Sequence, residues 1–595
     1  MQDTLFSESV AEHVWRTKYQ WAADGRLPEP GIKATWDRVA MAVAAAETHH
    51  HDDWRQRFRA ILNDFRFLPG GRILAGAGTA RGTTLFNCFV MGDVEDSIHG
   101  IFNSLRETVA TLQAGGGTGI DFSTLRPAGS PAVSRGGAAS GPVSFMTIWE
   151  TASAVLESGN LRRGAMMAAL RCDHPDIEAF IEAKMKAGAL THFNLSVLIT
   201  DNFMQAVEAD GPWPLVFPIA NHPVPAGAEV CERVWSGDAS PQVCRVHRRI
   251  PARSLWERIV QAQHASCEPG VLFVDRINQA NNLWYCERIS ATNPCGEVPL
   301  PAYGGCNLGS INLSRFVNHP FASHPDVDFE GIRTVTCVAT RFLDDVHEIS
   351  SFPLKAQAKA ARASRRIGLG VTGLADMFAM LGLRYGSPAS IELTRNIMAT
   401  IRDAAYGTSI EIAGEKGEFP AFDKTRYCAS PFILDLPREL QDGIATYGIR
   451  NSHLLAVAPA GSISLLANNV SSGIEPIFCL DGERRVRGAD GQAVTFAVKD
   501  NAWRQYLALR GPAVERTPSL VQAADVDAEA QLQMMAAVQP FVDSAIAKTV
   551  HLPEDTSTRD LELVLLRAWE LGLKGCTVYR ESSMRGAAVV SQRRA

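Results

Sequence analysis

The chain has 595 residues, 46% of them hydrophobic, and a mean hydropathy of -0.04, a composition ordinary for a globular protein with a large core. A net charge of -6 and a pI near 6.2 offer no basic footprint for a nucleic-acid backbone. That excludes a polymeric DNA or RNA partner and leaves any phosphate recognition to local sites.

The first residues, Met1 to Val10, are polar and lack the apolar stretch of a secretion signal. No run of about 18 apolar residues follows, so no membrane span is expected. A cytoplasmic location follows, where structural disulfides are rare. Each of the twelve cysteines is then either a small buried hydrophobe or a chemical actor. Up to Gly82 the pattern is helical: Val10, Val14, Trp15 and Tyr19 recur at helical spacing, and Trp36 to Glu47 is alanine-rich. Residues 1–82 are therefore expected to form a helical N-terminal domain. His49, His50 and His51 stand beside Asp52 and Asp53, but neighbours on a helix do not converge on one ion, and a solvated helix end is the expectation.

From Thr83 to Arg580 short apolar runs (Leu85–Met91, Leu195–Ile199, Leu272–Asp275, Leu454–Ala458) alternate with helical segments (Ile101–Leu112, Phe145–Glu157, Ile177–Lys186). Strands alternating with helices predict an α/β sheet or barrel over residues 83–580. Glu229–His247, with Cys231, Cys244 and His247, lacks a fourth ligand for a zinc site and reads as a surface excursion. Asp481–Val494, with its two Asp-Gly pairs, predicts a hairpin. Residues 581–595 read as a short, polar, frayed tail.

The densest chemical signal is Ala291-Thr-Asn-Pro-Cys-Gly-Glu-Val-Pro-Leu-Pro301, followed by Gly304-Gly-Cys-Asn-Leu-Gly-Ser-Ile-Asn312. Pro294, Pro299 and Pro301 forbid a helix. In an extended loop Asn293, Cys295 and Glu297 share one face and present an amide, a thiol and a carboxylate together. Cys306 follows closely, and Cys88 sits far upstream in Leu85-Phe-Asn-Cys-Phe-Val90; either alone reads equally as a buried core cysteine. In Pro459-Ala-Gly-Ser-Ile-Ser464, Gly461 permits close backbone approach, and Ser462 and Ser464 are placed to cap a helix suited to a phosphate. Gln113-Ala-Gly-Gly-Gly-Thr-Gly-Ile120 is a second glycine loop; no Gly-Lys-Ser/Thr follows it and no strand precedes it, so it is neither a P-loop nor a dinucleotide fingerprint.

Together these pieces resemble one family. Asn293-Pro-Cys-Gly-Glu297, Cys306-Asn-Leu-Gly-Ser-Ile-Asn312, Phe86-Asn-Cys88, Gly461-Ser-Ile-Ser464 with Ser472-Gly-Ile-Glu-Pro476, and Lys574-Gly-Cys-Thr-Val-Tyr-Arg580 are similar, in order and spacing, to ribonucleotide reductases of the adenosylcobalamin-dependent class. The resemblance implies a ten-stranded α/β barrel with the Cys295 loop as a central finger, preceded by a small helical domain. It implies that Cys295 becomes a thiyl radical and takes the 3′-hydrogen, that Glu297 is the base on the 3′-hydroxyl, and that Asn293 holds the substrate hydroxyls. Cys88 and Cys306 would supply two electrons and end as a disulfide. Asn87, Gly117 and Pro459, Ala460, Gly461, Ser462 and Ile463 would bind the ribonucleotide. Asp93 and Arg126 match positions that grip a deoxynucleotide effector, and Ser158–Gly164 matches the loop relaying effector identity; an ordinary surface Asp and Arg is the alternative.

Adenosylcobalamin is implied by this resemblance and by elimination. An iron-dependent large subunit with a radical-generating partner would carry a C-terminal tyrosine pair, where this chain has Tyr579 alone; a glycyl-radical motif is missing; a non-catalytic nucleotide-binding barrel would not need all three cysteines with Glu297. No metal-ligating residues are expected. Family members end in a Cys-x-x-Cys tail, and this chain has none, which leads to the expectation of a thioredoxin-like or separate dithiol reductant. No N-terminal nucleotide-binding cone is recognisable, so no overall on/off control by ATP and dATP is expected. A homodimer is the family expectation.

Overall fold

A computed structural model describes residues 5–22, 27–132, 137–158, 164–186, 188–219, 227–238, 240–487, 493–580 and 589–591. The chain opens with helices α1 (Ser9–Val14), α2 (Ile32–Ala44) and α3 (His51–Leu62). On α2, Ile32, Trp36, Val39, Ala40 and Val43 form one buried face, the spacing of an amphipathic helix. Trp36 meets Phe65 edge-on at 5.3 Å. His49, His50 and His51 are exposed where α3 begins. Among the described residues no group of three or more His, Cys, Asp or Glu is arranged to hold a metal ion, and no helix is long and apolar enough to cross a membrane.

Five strands then run parallel in chain order: β1 (Cys88–Val90), β2 (Gly117–Asp121), β3 (Met166–Arg171), β4 (Phe193–Ile199) and β5 (Gly270–Phe273). Parallel neighbours need crossovers, here supplied by helices such as Ile98–Gln113 and Pro142–Ser158. The apolar run at Leu272–Asp275 divides at Phe273, where the strand ends and the helix Val274–Gln279 begins.

A second parallel set comprises β6 (Gly305–Asn312), β7 (Ile367–Thr372), the extended stretch 454–457, and a stretch from residue 545 into β8 (Thr549–Leu552), which pairs with β9 (Gly575–Arg580). The two sets meet antiparallel at β1–β6 and at β5–β9. The ring is completed by parallel bridges Leu369↔Leu455 and Val457↔Ile546, with the Ala456 N–H donating to the Leu369 carbonyl (3.1 Å) and the Val457 N–H to that of Ala545 (3.1 Å). The architecture is the ten-stranded α/β barrel implied by the resemblance, with Phe67–Pro69 added beside β6. Buried groups buttress the closing seam. Asp543 accepts the Leu454 and Leu455 N–H groups (2.7 and 2.9 Å) and the Tyr406 hydroxyl (2.8 Å), and Lys574 donates to the Asp543 and Ser544 carbonyls.

The finger occupies the middle. Ala291–Thr292 pairs with Pro299–Leu300, and residues 293–298 form its tip. Asn194 on β4 donates to the Pro294 carbonyl (2.8 Å), while across the ring the Ala545 N–H donates to the Glu297 carbonyl (2.9 Å). A Cβ on Gly119 of β2 would lie 1.9 Å from the Thr292 carbonyl oxygen, so only glycine lets wall and finger approach this closely.

Outside the barrel, Pro212–Pro218, Val230–Val234 and Pro241–Pro251 form a three-stranded antiparallel sheet. The excursion expected at Glu229–His247 is thus an ordered hairpin. Asp481–Arg487 pairs with Ala493–Lys499, as the Asp-Gly signals predict; Asp490 and Gly491 lie outside the described residues. Of the tail, the described residues Val589–Ser591 differ from the expectation of fraying, pairing with Arg484, Glu483 and Gly482. The unpaired groups of an edge strand are a template for such addition.

Gly119→Ala is expected to destabilise the protein by at least about 1–3 kcal/mol, the cost of overpacking a filled interior, read as a lower denaturation midpoint; an unchanged midpoint would contradict a finger pressed against β2.

Candidate active site

The finger tip is held by its own first side chain. The Asn293 carboxamide oxygen accepts the Val298 N–H (3.0 Å) and the Thr292 hydroxyl (3.1 Å), and the Gly296 N–H donates to the Asn293 carbonyl (3.1 Å). This is a tight turn rather than the extended loop expected from the prolines. The outcome is the same, because Asn293, Cys295 and Glu297 all line one chamber of about 280 Å³. Asn87, Cys88, Gly117 and the whole segment Pro459–Ile463 line it too. Residues from four separate regions of the sequence are thereby brought together.

Cys88 and Cys306 are direct partners across the antiparallel β1–β6 junction. Opposed residues of an antiparallel pair point to the same face, with Cβ atoms about 4.5–5.5 Å apart. The Asn293 amide donates to the Cys88 sulfur (3.2 Å), and the Cys88 thiol faces the Glu297 carboxylate at 3.8 Å. The Cys306 thiol points to the Asn307 carbonyl (3.2 Å) and is fully buried. Burial pushes the Cys88 thiol well above its ordinary value, and Glu297, Cys306 and Cys295 push the same way while Asn293 opposes them. Burial likewise raises Cys306. Both sulfurs are therefore held as neutral thiols at neutral pH.

Burial also raises the Glu297 carboxyl above the usual range, against hydrogen bonds from Asn293 and Cys88. Its second oxygen, Oε2, has no hydrogen-bond partner, and neither has Asn87 Oδ1. Two buried acceptors facing one chamber suit a ligand that brings hydroxyl donors.

Cys295 is exposed, which differs from a thiol sealed within the barrel. It lines both the chamber described and a second one of about 280 Å³, bounded also by Asn194, Thr549, Lys574 and Cys576. A group that must be reached from two sides cannot be packed over. The second chamber shares Asn194, Glu268, Glu475, Thr549 and Thr577 with a cavity of about 870 Å³. Tyr579 lines that cavity with its ring 5.9 Å from that of His551. Burial lowers Lys574 to about 8, with Asp543 pulling the other way.

The helix Gly461–Leu466 begins where the glycine-serine pattern predicts, but Ala460 holds the capping position and no side chain caps it. Ser464 instead donates to the Gly461 carbonyl (3.0 Å), and Ser462 accepts from Lys18 (3.1 Å). Lys18, with the chamber-lining Tyr19 and Arg72, was not legible as site chemistry. All three belong to segments whose periodicity speaks only of helix packing.

Arg126 pairs with Asp96 (2.7 Å) and donates to its carbonyl (3.0 Å). Asp93 is exposed, and a Cβ on Gly237 would lie 3.0 Å from its carboxyl group. Thr124 joins the two segments by donating to the Val94 carbonyl (2.7 Å). Neither Asp93 nor Arg126 lines the central chamber; residues 159–163 of the Ser158–Gly164 segment lie outside the described residues.

Iodoacetamide at pH 8 is expected to modify Cys295 well before Cys88 or Cys306, as followed by peptide mass mapping; equal rates for the three would contradict the burial and protonation argued here.

The comparisons with known proteins agree with one another. A model of the ribonucleotide reductase barrel domain matches residues 86–579, and one of the ribonucleotide reductase all-alpha domain matches residues 5–82. The chain is 38% identical to a vitamin B12-dependent ribonucleoside-diphosphate reductase of Mycobacterium tuberculosis (strain CDC 1551 / Oshkosh), over 99% of this chain and 82% of that protein. It is 35% identical to one of Thermoplasma acidophilum, over 94% and 69%. With a ribonucleoside-diphosphate reductase large subunit of variola virus the identity is 27%, over 89% and 72%.

Proposed function

Since the chain belongs to the ribonucleotide reductase family, we propose that it reduces ribonucleoside diphosphates with adenosylcobalamin, using Cys295, Glu297, Asn293, Cys88 and Cys306 as its reacting set. The observation that carries this reading is the register of Cys88 against Cys306 directly beneath a finger that presents Cys295 and Glu297 to the same chamber. The diphosphate preference rests on the relatives at 38% and 35% identity, which are ribonucleoside-diphosphate reductases by name.

Protein groups account for each step on the sugar. The Cys295 radical takes the 3′-hydrogen. Glu297, raised in pKa and with one oxygen unpartnered, accepts the 3′-hydroxyl proton, while Asn87 and Asn293 hold the hydroxyls. A neutral Cys88 or Cys306 thiol protonates the departing 2′-hydroxyl, and the pair gives up two electrons as it becomes a disulfide. Gly117 and Pro459–Ile463 cradle the substrate, with Ser462 supported by Lys18 and Arg72 lining the same chamber as a cation for phosphate.

Adenosylcobalamin would supply the oxidising radical to Cys295. The 870 Å³ cavity is too small to enclose the whole cofactor, but its lining suits part of it, mixing hydroxyl and amide groups (Ser471, Ser472, Asn194, Thr577) with Val470 and Phe478. It also communicates with the rear face of Cys295 through the second chamber.

Asp93 and Arg126 are assigned to a deoxynucleotide effector. The disulfide is assigned to reset by a thioredoxin-like or separate dithiol reductant. A homodimer is supported by Ile98 and Phe102, apolar and exposed one turn apart on the helix Ile98–Gln113.

The test is incubation with adenosylcobalamin, a ribonucleoside diphosphate, a deoxynucleotide effector and dithiothreitol, scoring deoxynucleotide. Cys295→Ser is expected to abolish the product and the loss of a 3′-hydrogen label. Cys88→Ser and Cys306→Ser should retain label loss but stop net reduction; inactivity of the wild-type chain, or full turnover by any of the three variants, would sink the reading.

The base must be ionised, and burial lifts its pKa, so activity should fall as pH drops through a value above 4.5. Glu297→Gln should lose that limb together with about 10²–10⁴-fold in rate. Arg72→Ala should raise KM on the order of tenfold to a hundredfold, the worth of a hydrogen bond to a charged group, with kcat little changed.

A further inference from the structure

The hairpin outside the barrel carries a cysteine pair that ribonucleotide reduction does not use. Cys231 on Val230–Val234 and Cys244 on Pro241–Pro251 are direct cross-strand partners, and the Val246 N–H donates to the Glu229 carbonyl (2.9 Å) two residues along the same ladder. Opposed residues share a face, and here Cys244 clusters with Val216, Phe217 and Trp235 while Cys231 packs at the edge of that cluster. Cα atoms of opposed antiparallel residues sit about 4.5–5.5 Å apart, within the roughly 4.4–6.8 Å that a disulfide spans. Cys244 is buried and Cys231 is partly exposed, so only one of the two meets solvent.

The surroundings give the pair consequence. The Trp235 indole N–H donates to the Ser123 carbonyl (3.0 Å), and the Arg171 guanidinium lies 4.6 Å over the Trp235 ring. Gly237, in the same turn, backs onto Asp93. The segment joining the two cysteines is thus pressed against the barrel at Asp93.

We propose that Cys231 and Cys244 form a reversible cross-strand disulfide, a redox modification site that stiffens the turn packed on Asp93. The oxidant is a low-molecular-weight disulfide. The Cys231 thiolate attacks one of its sulfurs and releases one thiol; the Cys244 thiol then gives up its proton as its sulfur attacks that of Cys231 and releases the second. Two cysteine thiols lose two electrons and two protons, and the oxidant gains both as two thiols. Any effect on effector recognition rests on the assignment of Asp93; formation of the bond does not.

The test equilibrates the full chain with mixtures of glutathione and glutathione disulfide, quenches with acid, alkylates, and maps peptides without reduction. The peptides bearing Cys231 and Cys244 are expected to be joined, to separate on adding dithiothreitol, and to be accompanied by slower hydrogen exchange at residues 235–238. Cys244→Ser should leave Cys231 as a persistent glutathione adduct, and Cys231→Ser should leave Cys244 unmodified. Separately alkylated cysteines under a large excess of glutathione disulfide, or either one joined to a different cysteine, would overturn the bond. A formed bond with unchanged exchange at 235–238 would overturn its reach to Asp93. None of these measurements depends on turnover.

Discussion

A loop with prolines at 294, 299 and 301 builds only a two-residue ladder of its own, so several of its polar groups must be met by whatever surrounds it. Here the surround is a closed ring of strands, and the finger is tied to opposite sides of it through Asn194 and Ala545. This mutual dependence governs the rest of the molecule. The wall must thin to glycine at position 119 to admit the finger, and the ring must close behind it through the stretch 454–457. That seam has few ladder bonds, and the buried carboxylate of Asp543, with Lys574 beside it, completes the hydrogen bonding there.

The same enclosure sets the chemistry. Away from water, charge is disfavoured, so Cys88 and Cys306 stay as thiols and the Glu297 carboxyl is easier to protonate. Neutral thiols beside a proton-accepting carboxylate are what a reaction needs when it must give a proton to one hydroxyl and take one from its neighbour. Cys295 is the exception, accessible because the turn at 293–298 carries it past the packed interior to the boundary between two chambers. One chamber reaches toward Lys18, Arg72 and Ser462, the other toward the cavity of about 870 Å³. The thiol therefore stands between the chamber proposed for the substrate and the one proposed to lead to a radical source.

Much of this was legible in the primary structure. Alternating strand and helix patterns indicated an α/β architecture, and the order of the cysteine, glycine and serine motifs pointed to the family and to most of the chamber's lining. The alternate spacing of Asn293, Cys295 and Glu297 predicted a shared face for a reason that does not hold, since the segment is a tight turn; the turn, fixed by the Asn293 side chain, achieves the same convergence. The contributions of Lys18, Tyr19 and Arg72 were hidden, because a helix that packs with one face and serves a site with its edge shows only the packing period.

What the sequence alone determined was which chemical groups are present and which segments carry them, because composition, proline placement and periodicity are local properties. Which groups meet was decided by tertiary structure. Cys88 opposes Cys306 only through the register of β1 against β6, and Cys231 opposes Cys244 only through the register of a hairpin. A slip of one residue turns a side chain to the other face of a sheet, and pairings of strands distant in sequence are set by the closure of the whole ring.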